Sequence, residues 1–185
     1  VNRFYMMKDM YPGLDASGMA PIVDDTSSTV DDQPAKLFNA TSTPYDGSVS
    51  GFYVSLLGVD DKGVAHKGEK GVNATTTIGG FAYFGTNTPA PELSNTCNAN
   101  LGAARSYQVG FLSGKVAKTR LNGGGLPPSP VSGLVNVKVG GEMRTIPFII
   151  GGTSPDCVGT DCNSAVGAQK ANIPIPPTRN RAYWY

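Results

Sequence analysis

Leu134-Val135-Asn136-Val137-Lys138-Val139-Gly140-Gly141, followed by Glu142-Met143-Arg144-Thr145-Ile146-Pro147-Phe148-Ile149-Ile150, is the stretch whose reading decides the fold class. Its first half alternates apolar and polar residues, and a period of two sends successive side chains to opposite faces of a strand. Gly140-Gly141 supplies the backbone freedom of a tight turn, so the chain is expected to return from Met143 to Ile150 as a hairpin. The same device occurs upstream, where Thr75-Thr76-Thr77-Ile78 passes through Gly79-Gly80 into Phe81-Ala82-Tyr83-Phe84. Residues 105–112 place Tyr107, Val109 and Phe111 on one face, the pattern of a half-buried strand. Residues 3–8 and 51–57 and the aromatic terminus 182–185 read as further strands.

Between these runs the sequence reads as loop. Residues 11–45 are long, acidic and rich in Ser, Thr and Pro, with one short helical stretch expected around residues 34–39. Residues 86–100 and 112–130 read as loops, and the Pro-rich tail 172–179 as extended chain. With 24 Gly, 14 Pro and a charged fraction of 16%, the composition disfavours long helices. The expected fold is all-β, with antiparallel sheets in a single domain over residues 1–185. About seven or eight strands amount to about two blades of a β-propeller at ~40–45 residues a blade, or to one β-sandwich.

A formal net charge of +1 gives no electrostatic reason to expect a nucleic-acid partner. No apolar run approaches the ~20 residues of a membrane span. The sequence starts at Val1 without a charged, then apolar, leader, as expected of a chain whose signal peptide has been removed. Cys157 and Cys162 flank a short polar loop and are expected to form a disulfide, which implies an oxidising, extracytoplasmic compartment. A zinc site would need four ligands, and the single histidine, His66, is remote in sequence. Cys97 is left over.

Catalytic signals are weak. His66 lies in a polar stretch beside Lys62 and Lys67 and reads as an exposed loop residue, and no Gly-x-Ser-x-Gly elbow accompanies it. Asp24, Asp25, Asp31 and Asp32 are the weak calcium candidates; the ordinary meaning of such a cluster is a solvated acidic loop, and no cofactor is expected. The aromatics at alternating strand positions read as core. Tyr183, Trp184 and Tyr185 are consecutive, so at least one of them should face solvent or a partner. The two Asn-Ala-Thr sequons, at Asn39 and Asn73, are read as chance.

Four segments, in order, resemble the C-terminal portion of PilY/PilC-type proteins, the type IV pilus-associated family. They are residues 2–9, residues 68–89 with Ile78-Gly79-Gly80-Phe81-Ala82-Tyr83-Phe84-Gly85, residues 100–111, and Gly123-Gly124-Gly125-Leu126-Pro127-Pro128-Ser129-Pro130-Val131 completed by residues 179–185. The resemblance implies part of a β-propeller in a secreted Gram-negative protein that promotes pilus assembly, opposes retraction and mediates attachment. It implies partners among pilin or pilus-tip subunits, or the remaining propeller segment of the same precursor. The family's calcium loop of the form D-x-[DN]-x-[DN]-G is missing, so calcium control is not carried over.

The expected function is therefore a pilus-associated assembly or adhesion component that acts through surfaces and is not an enzyme. A secreted carbohydrate-binding module is the alternative, and a propeller enzyme of the quinoprotein type is disfavoured by the single Trp. About two blades leave open strand edges, so the chain is expected to need a partner.

Overall fold

Strands form where β-branched and aromatic residues concentrate. The computed structural model describes residues 2–7, 37–47, 49, 51–59, 65–66, 68–90, 101–152 and 163–171, and no α-helix occurs among them. The strands are β1 (Asn2–Met7), β2 (Phe38–Asn39), β3 (Gly51–Leu56), β4 (Gly58–Val59), β5 (Ala65–His66), β6 (Lys70–Gly71), β7 (Thr76–Ile78), β8 (Phe81–Thr88), β9 (Ala103–Gly110), β10 (Val116–Arg120), β11 (Val131–Val139), β12 (Glu142–Ile150) and β13 (Ala168–Lys170). All pair antiparallel except β2, which runs parallel to β3. The chain is all-β with antiparallel sheets, as its sequence leads one to expect.

The middle sheet runs β10-β9-β8-β6, with β7 also pairing along β8. A second sheet, β1-β3-β2, lies against one face of it. Phe4 stacks on Phe84 at 5.0 Å, and Phe84 stacks on Tyr107 at 5.2 Å, both nearly parallel. Phe52, Val54 and Leu56 from β3 bury themselves beside Phe84, Tyr107 and Val109. Tyr45 closes the cluster, packing on Phe38 and Phe52 and donating its hydroxyl to the Val49 carbonyl. The third sheet, β11-β12-β13, meets the opposite face through Ile149, which is fully buried. A Cβ on Gly152 would collide with Ile149 and press on Tyr83, so the backbone passes there only as glycine.

β8 and β9 are consequently covered on both sides, and this corrects the half-buried reading of residues 105–112. Ser106 and Gln108 sit on the face expected to be polar and exposed, yet they are as buried as Tyr107 and Val109. Two of their polar groups find internal partners: Gln108 Nε2 donates to the Tyr83 hydroxyl at 3.0 Å, and Ser106 Oγ donates to the Gly151 carbonyl at 3.3 Å.

Other expectations change as well. Phe38 and Asn39, placed in a short helix by the sequence reading, form a strand; residues 34–36 of that stretch lie outside the described residues. So short a segment cannot repay helix nucleation, and Phe38 gains more by packing on Tyr45. Within the stretch read as loop over residues 11–45, Leu37, Ala40 and Tyr45 are buried. The loop expected over residues 86–100 starts later, because β8 continues to Thr88 opposite Ala103. The loop expected over residues 112–130 contains β10, paired to β9 across a turn in which Gly114 has φ +60°. His66 lies in β5 opposite Gly58, not in a loop. The strand expected at residues 182–185 lies outside the described residues.

The chain from Leu121 to Pro130 is held to the sheet by side-chain amides and hydroxyls. Asn73 Nδ2 donates to the Pro128 carbonyl at 2.9 Å while its Oδ1 accepts from Gly85 N at 2.7 Å. Asn87 Nδ2 donates to the Gly125 carbonyl at 2.6 Å, and Thr76 Oγ1 to the Pro130 carbonyl at 2.6 Å. These bonds satisfy carbonyls that a proline-rich segment cannot pair in a ladder.

The aromatic stack should dominate stability. Phe84→Ala is expected to lower the unfolding free energy by about 3–5 kcal/mol. Leu134→Ala, at a position 69% exposed, is expected to stay within ~0.5 kcal/mol. Urea unfolding followed by far-ultraviolet dichroism compares the two.

Candidate interaction surface

The feature that stands apart from this core is the β11–β12 hairpin. Gly140 and Gly141 take φ values of +61° and +93°, the signs a type I′ turn requires, and Val139 faces Glu142 across it. The pairing then runs without a bulge from Val139–Glu142 to Val131–Ile150. Nine residues at ~3.4 Å give a ribbon roughly 30 Å long. Its root is fixed by buried Ile149, by β13 along Phe148 to Ile150, and by Ala171 N donating to the Pro147 carbonyl at 3.0 Å. Beyond Pro147 no third strand flanks the ribbon among the described residues.

Both faces of this arm carry apolar side chains into solvent. One face bears Val131, Val135, Val137 and Val139 opposite Ile146, Phe148 and Ile150. The other bears Leu134 and Met143, each more than two-thirds exposed. Gly133 lets the Phe148 ring lie flat across the strand, since a Cβ there would come within 2.8 Å of the ring. The result is a groove of 380 Å³ lined by Val135, Val137, Ile146, Phe148, Ala168 and Lys170. Lys170 is the one charged residue among these lining residues. Besides Ser132 and Lys138, the arm's polar groups are a Thr145–Asn136 hydrogen bond of 2.6 Å and an exposed Arg144–Glu142 pair at 3.5 Å. An ion pair so exposed contributes little to stability. A contiguous apolar strip of this kind is characteristic of a contact surface.

A second cluster has the residue types of a catalytic site but not its access. Glu69 is fully buried; its Oε1 accepts from Thr86 Oγ1 at 2.5 Å, and its Oε2 lies 4.0 Å from Arg105 Nη1. Arg105 also donates to Thr88 Oγ1 at 2.7 Å. Burial first, then the negative charge of nearby Glu69, hold the Tyr107 phenol well above its ordinary value, with Arg105 opposing. Burial likewise raises Tyr83, against a hydrogen bond from Gln108. Glu69, Arg105, Thr86 and Thr88 sit under β1, whose Asn2 donates to the Glu69 carbonyl at 2.7 Å. The cluster joins β6, β8 and β9 as a buried ion pair.

The site residues expected from sequence fall elsewhere. Cys157, Cys162 and Cys97, the acidic Asp24, Asp25, Asp31 and Asp32, and the aromatic Tyr183, Trp184 and Tyr185 all lie outside the described residues. Among the described residues no three His, Cys, Asp or Glu side chains gather as a metal site. No described helix is long and apolar enough to cross a membrane. The exposed arm was not singled out by the sequence reading. Its signal was an apolar residue on each face of the hairpin, Leu134 beside Val135 and Met143 near Ile146, where a strand with one wet face would carry polar groups. No protein family, curated protein or solved structure matches the chain.

The buried phenol gives a pH dependence of known sign. The folded chain retains the Tyr107 proton at a pH where the unfolded chain, with the model-compound value of 10.0, releases it. Stability is therefore undiminished by this group below pH 10 and falls above it, by at most about 1.4 kcal/mol per pH unit. Tyr107→Phe is expected to flatten that decline, and urea unfolding between about pH 9 and pH 11 measures both slopes.

Proposed function

We propose that this chain is a component of the type IV pilus apparatus, acting in pilus assembly or surface attachment through protein or surface contacts. The contact-based reading is carried by the β11–β12 arm, which presents Val135 and Val139 to solvent on the face of an apolar groove and Leu134 and Met143 on the opposite face. An arm that contributed only to its own fold would gain nothing by exposing these groups. The assignment to pili rests on the four ordered segments that resemble PilY/PilC-type proteins. Several of those segments have structural duties in the fold. Phe4 and Phe84 belong to the aromatic stack, Gly85 packs under Asn73 and Pro127, and Gly125 accepts the Asn87 amide. On this reading the protein is extracellular, and the described strands are blade material of a propeller whose remaining strands are supplied by the same precursor or by a neighbouring subunit.

The chemistry of the arm favours a protein partner over a sugar. Aliphatic side chains line the groove, and Phe148 is its single aromatic; carbohydrate sites rely on exposed aromatic platforms with polar groups beside them.

The expected outcome is co-purification with sheared pili from the bacterium that encodes the chain, and loss from that fraction in a strain lacking the major pilin. Leu134→Asp combined with Met143→Asp should reduce the recovered amount by ~10-fold, the effect of losing about 1.4 kcal/mol of contact energy, with the far-ultraviolet dichroism unchanged. Equal recovery from the pilin-deficient strain would remove the pilus assignment.

A further inference from the structure

The two long edges of the arm are built differently. In a two-residue hairpin the closing pair, Val139 and Glu142, exchanges hydrogen bonds. Alternation from there turns the N–H and C=O groups of Val131, Gly133, Val135, Val137 and Val139 toward β12. Those of Ser132, Leu134, Asn136 and Lys138 point away from it. The same alternation turns the odd-numbered residues of β12 toward β13, and two bonds agree with it. The Pro147 carbonyl accepts from Ala171 N, and Gly151 N donates to the Gly167 carbonyl at 3.2 Å. The outer edge of β12 is therefore occupied by β13 and Ala171 as far as Pro147, and only Met143 and Thr145 turn outward beyond it. The outer edge of β11 has no proline from Val131 to Val139, and its single charge is Lys138. Natural sheets guard exposed edges with proline, charge or a bulge. Among the described residues the free part of the β12 edge is short, and β11 has no strand paired along its outer edge.

We infer that the outer edge of β11 pairs antiparallel with the same edge of a second copy of the chain, two-fold about Asn136. This deepens the contact-based reading and rests on it. β7 occupies the root of that edge, where Thr76 donates to the Pro130 carbonyl, so the open portion runs from Gly133 to the turn. Asn136 is the centre of that portion. Pairing there sets Leu134 against the partner's Lys138 and Val135 against the partner's Val137, with hydrogen bonds from Leu134, Asn136 and Lys138 of each chain. The segment is self-complementary in this register. Valine meets valine on one face. On the other, two Asn136 amides meet, each with a donor and an acceptor, and the Lys138 stem lies along the partner's leucine with its ammonium at the rim. The two Lys138 residues are four positions apart, about 14 Å at ~3.4 Å per residue, so like charges do not oppose. The partner's Gly140 reaches the level of Ser132 beside β7, and a Cβ at Gly140 would have met nothing in its own chain, so the tip is bare. One open edge per chain closes the contact as a dimer and ends it there.

Sedimentation equilibrium of the full chain should show a monomer–dimer equilibrium. Leu134→Pro removes an outward N–H without touching the β12 ladder, and should raise the dimer dissociation constant by about tenfold or more. Asn136→Cys should cross-link under mild oxidation, because directly opposed Cα atoms are about 5.5 Å apart in a hydrogen-bonded pair. Lys138→Cys should not, and the unsubstituted chain controls for its own cysteines. Peptide mapping should find the bridge between the two substituted positions. A monomer at about 100 μM, well above the micromolar range of ordinary specific complexes, would overturn the inference. So would dimerisation unchanged by Leu134→Pro, or equal cross-linking of the two cysteine variants. Because these measurements use purified chain alone, their failure leaves the pilus co-purification result untouched, and the reverse holds as well.

Discussion

The column Phe4–Phe84–Tyr107 is the contact on which the rest of the structure depends. It ties β1 to β8 and β9 across the interface between two sheets, with ring centroids 5.0 and 5.2 Å apart. Offset aromatic stacks contribute beyond the area they bury. More important is what the stack imposes on its neighbours. Once β1 and β3 cover this face of β8 and β9, the polar groups on it lose water and gain by meeting one another inside. Thr86, Thr88 and Arg105 are drawn into the Glu69 cluster for that reason. A buried ion pair of this sort is weak evidence of net stabilisation, because desolvation offsets much of the attraction. Its effect is to fix register: Glu69 beside β6, Thr86 and Thr88 on β8 and Arg105 on β9 come together only when the three strands align as they do.

The opposite face of the same two strands sets the arm in place. Ile149 is buried against it, while Met143, six residues further toward the turn, is mostly exposed. One strand therefore passes from the core to solvent within its own length. A two-stranded ribbon by itself is marginal in water, so the order of β11 and β12 depends on this root and on the Gly140-Gly141 turn. Both are strong local constraints. The turn matches the natural twist of the strands, and burying an isoleucine contributes about 1.5–3 kcal/mol.

The hairpins were legible because their signals are local. Gly79-Gly80 and Gly140-Gly141 each mark a turn, and the alternation on either side marks the strands; the structure places Ile78 opposite Phe81 and Val139 opposite Glu142. β2, β4, β5, β6 and β13 escaped the sequence reading because two or three residues carry no periodicity; they exist through their partners. β10 was missed because Val116-Ala117-Lys118-Thr119-Arg120 has a single large apolar residue and is held by pairing to β9. Burial was the least legible property. The polar residues Ser106 and Gln108 predict a wet face, and only the arrival of Ile149 and Gly151 from more than forty residues away makes it dry. The arm inverts that error, since its valines alternate as a core-facing strand would, while nothing among the described residues covers them.

The asymmetry between the two edges of the arm bears on what such a surface can do. A sheet open at both edges adds strands without limit, which is the geometry of aggregation. Along β12, β13 and Ala171 occupy the edge as far as Pro147 and leave only a short free stretch before the turn. Pairing through β11 alone makes one continuous sheet from two chains, related by an axis perpendicular to it. An axis in that direction keeps like faces on the same side, so the two valine-lined grooves would open together. A partner that reached both would bind the second at an effective concentration set by the sheet's own rigidity, with no new contact required. Weak apolar sites become useful under that arrangement.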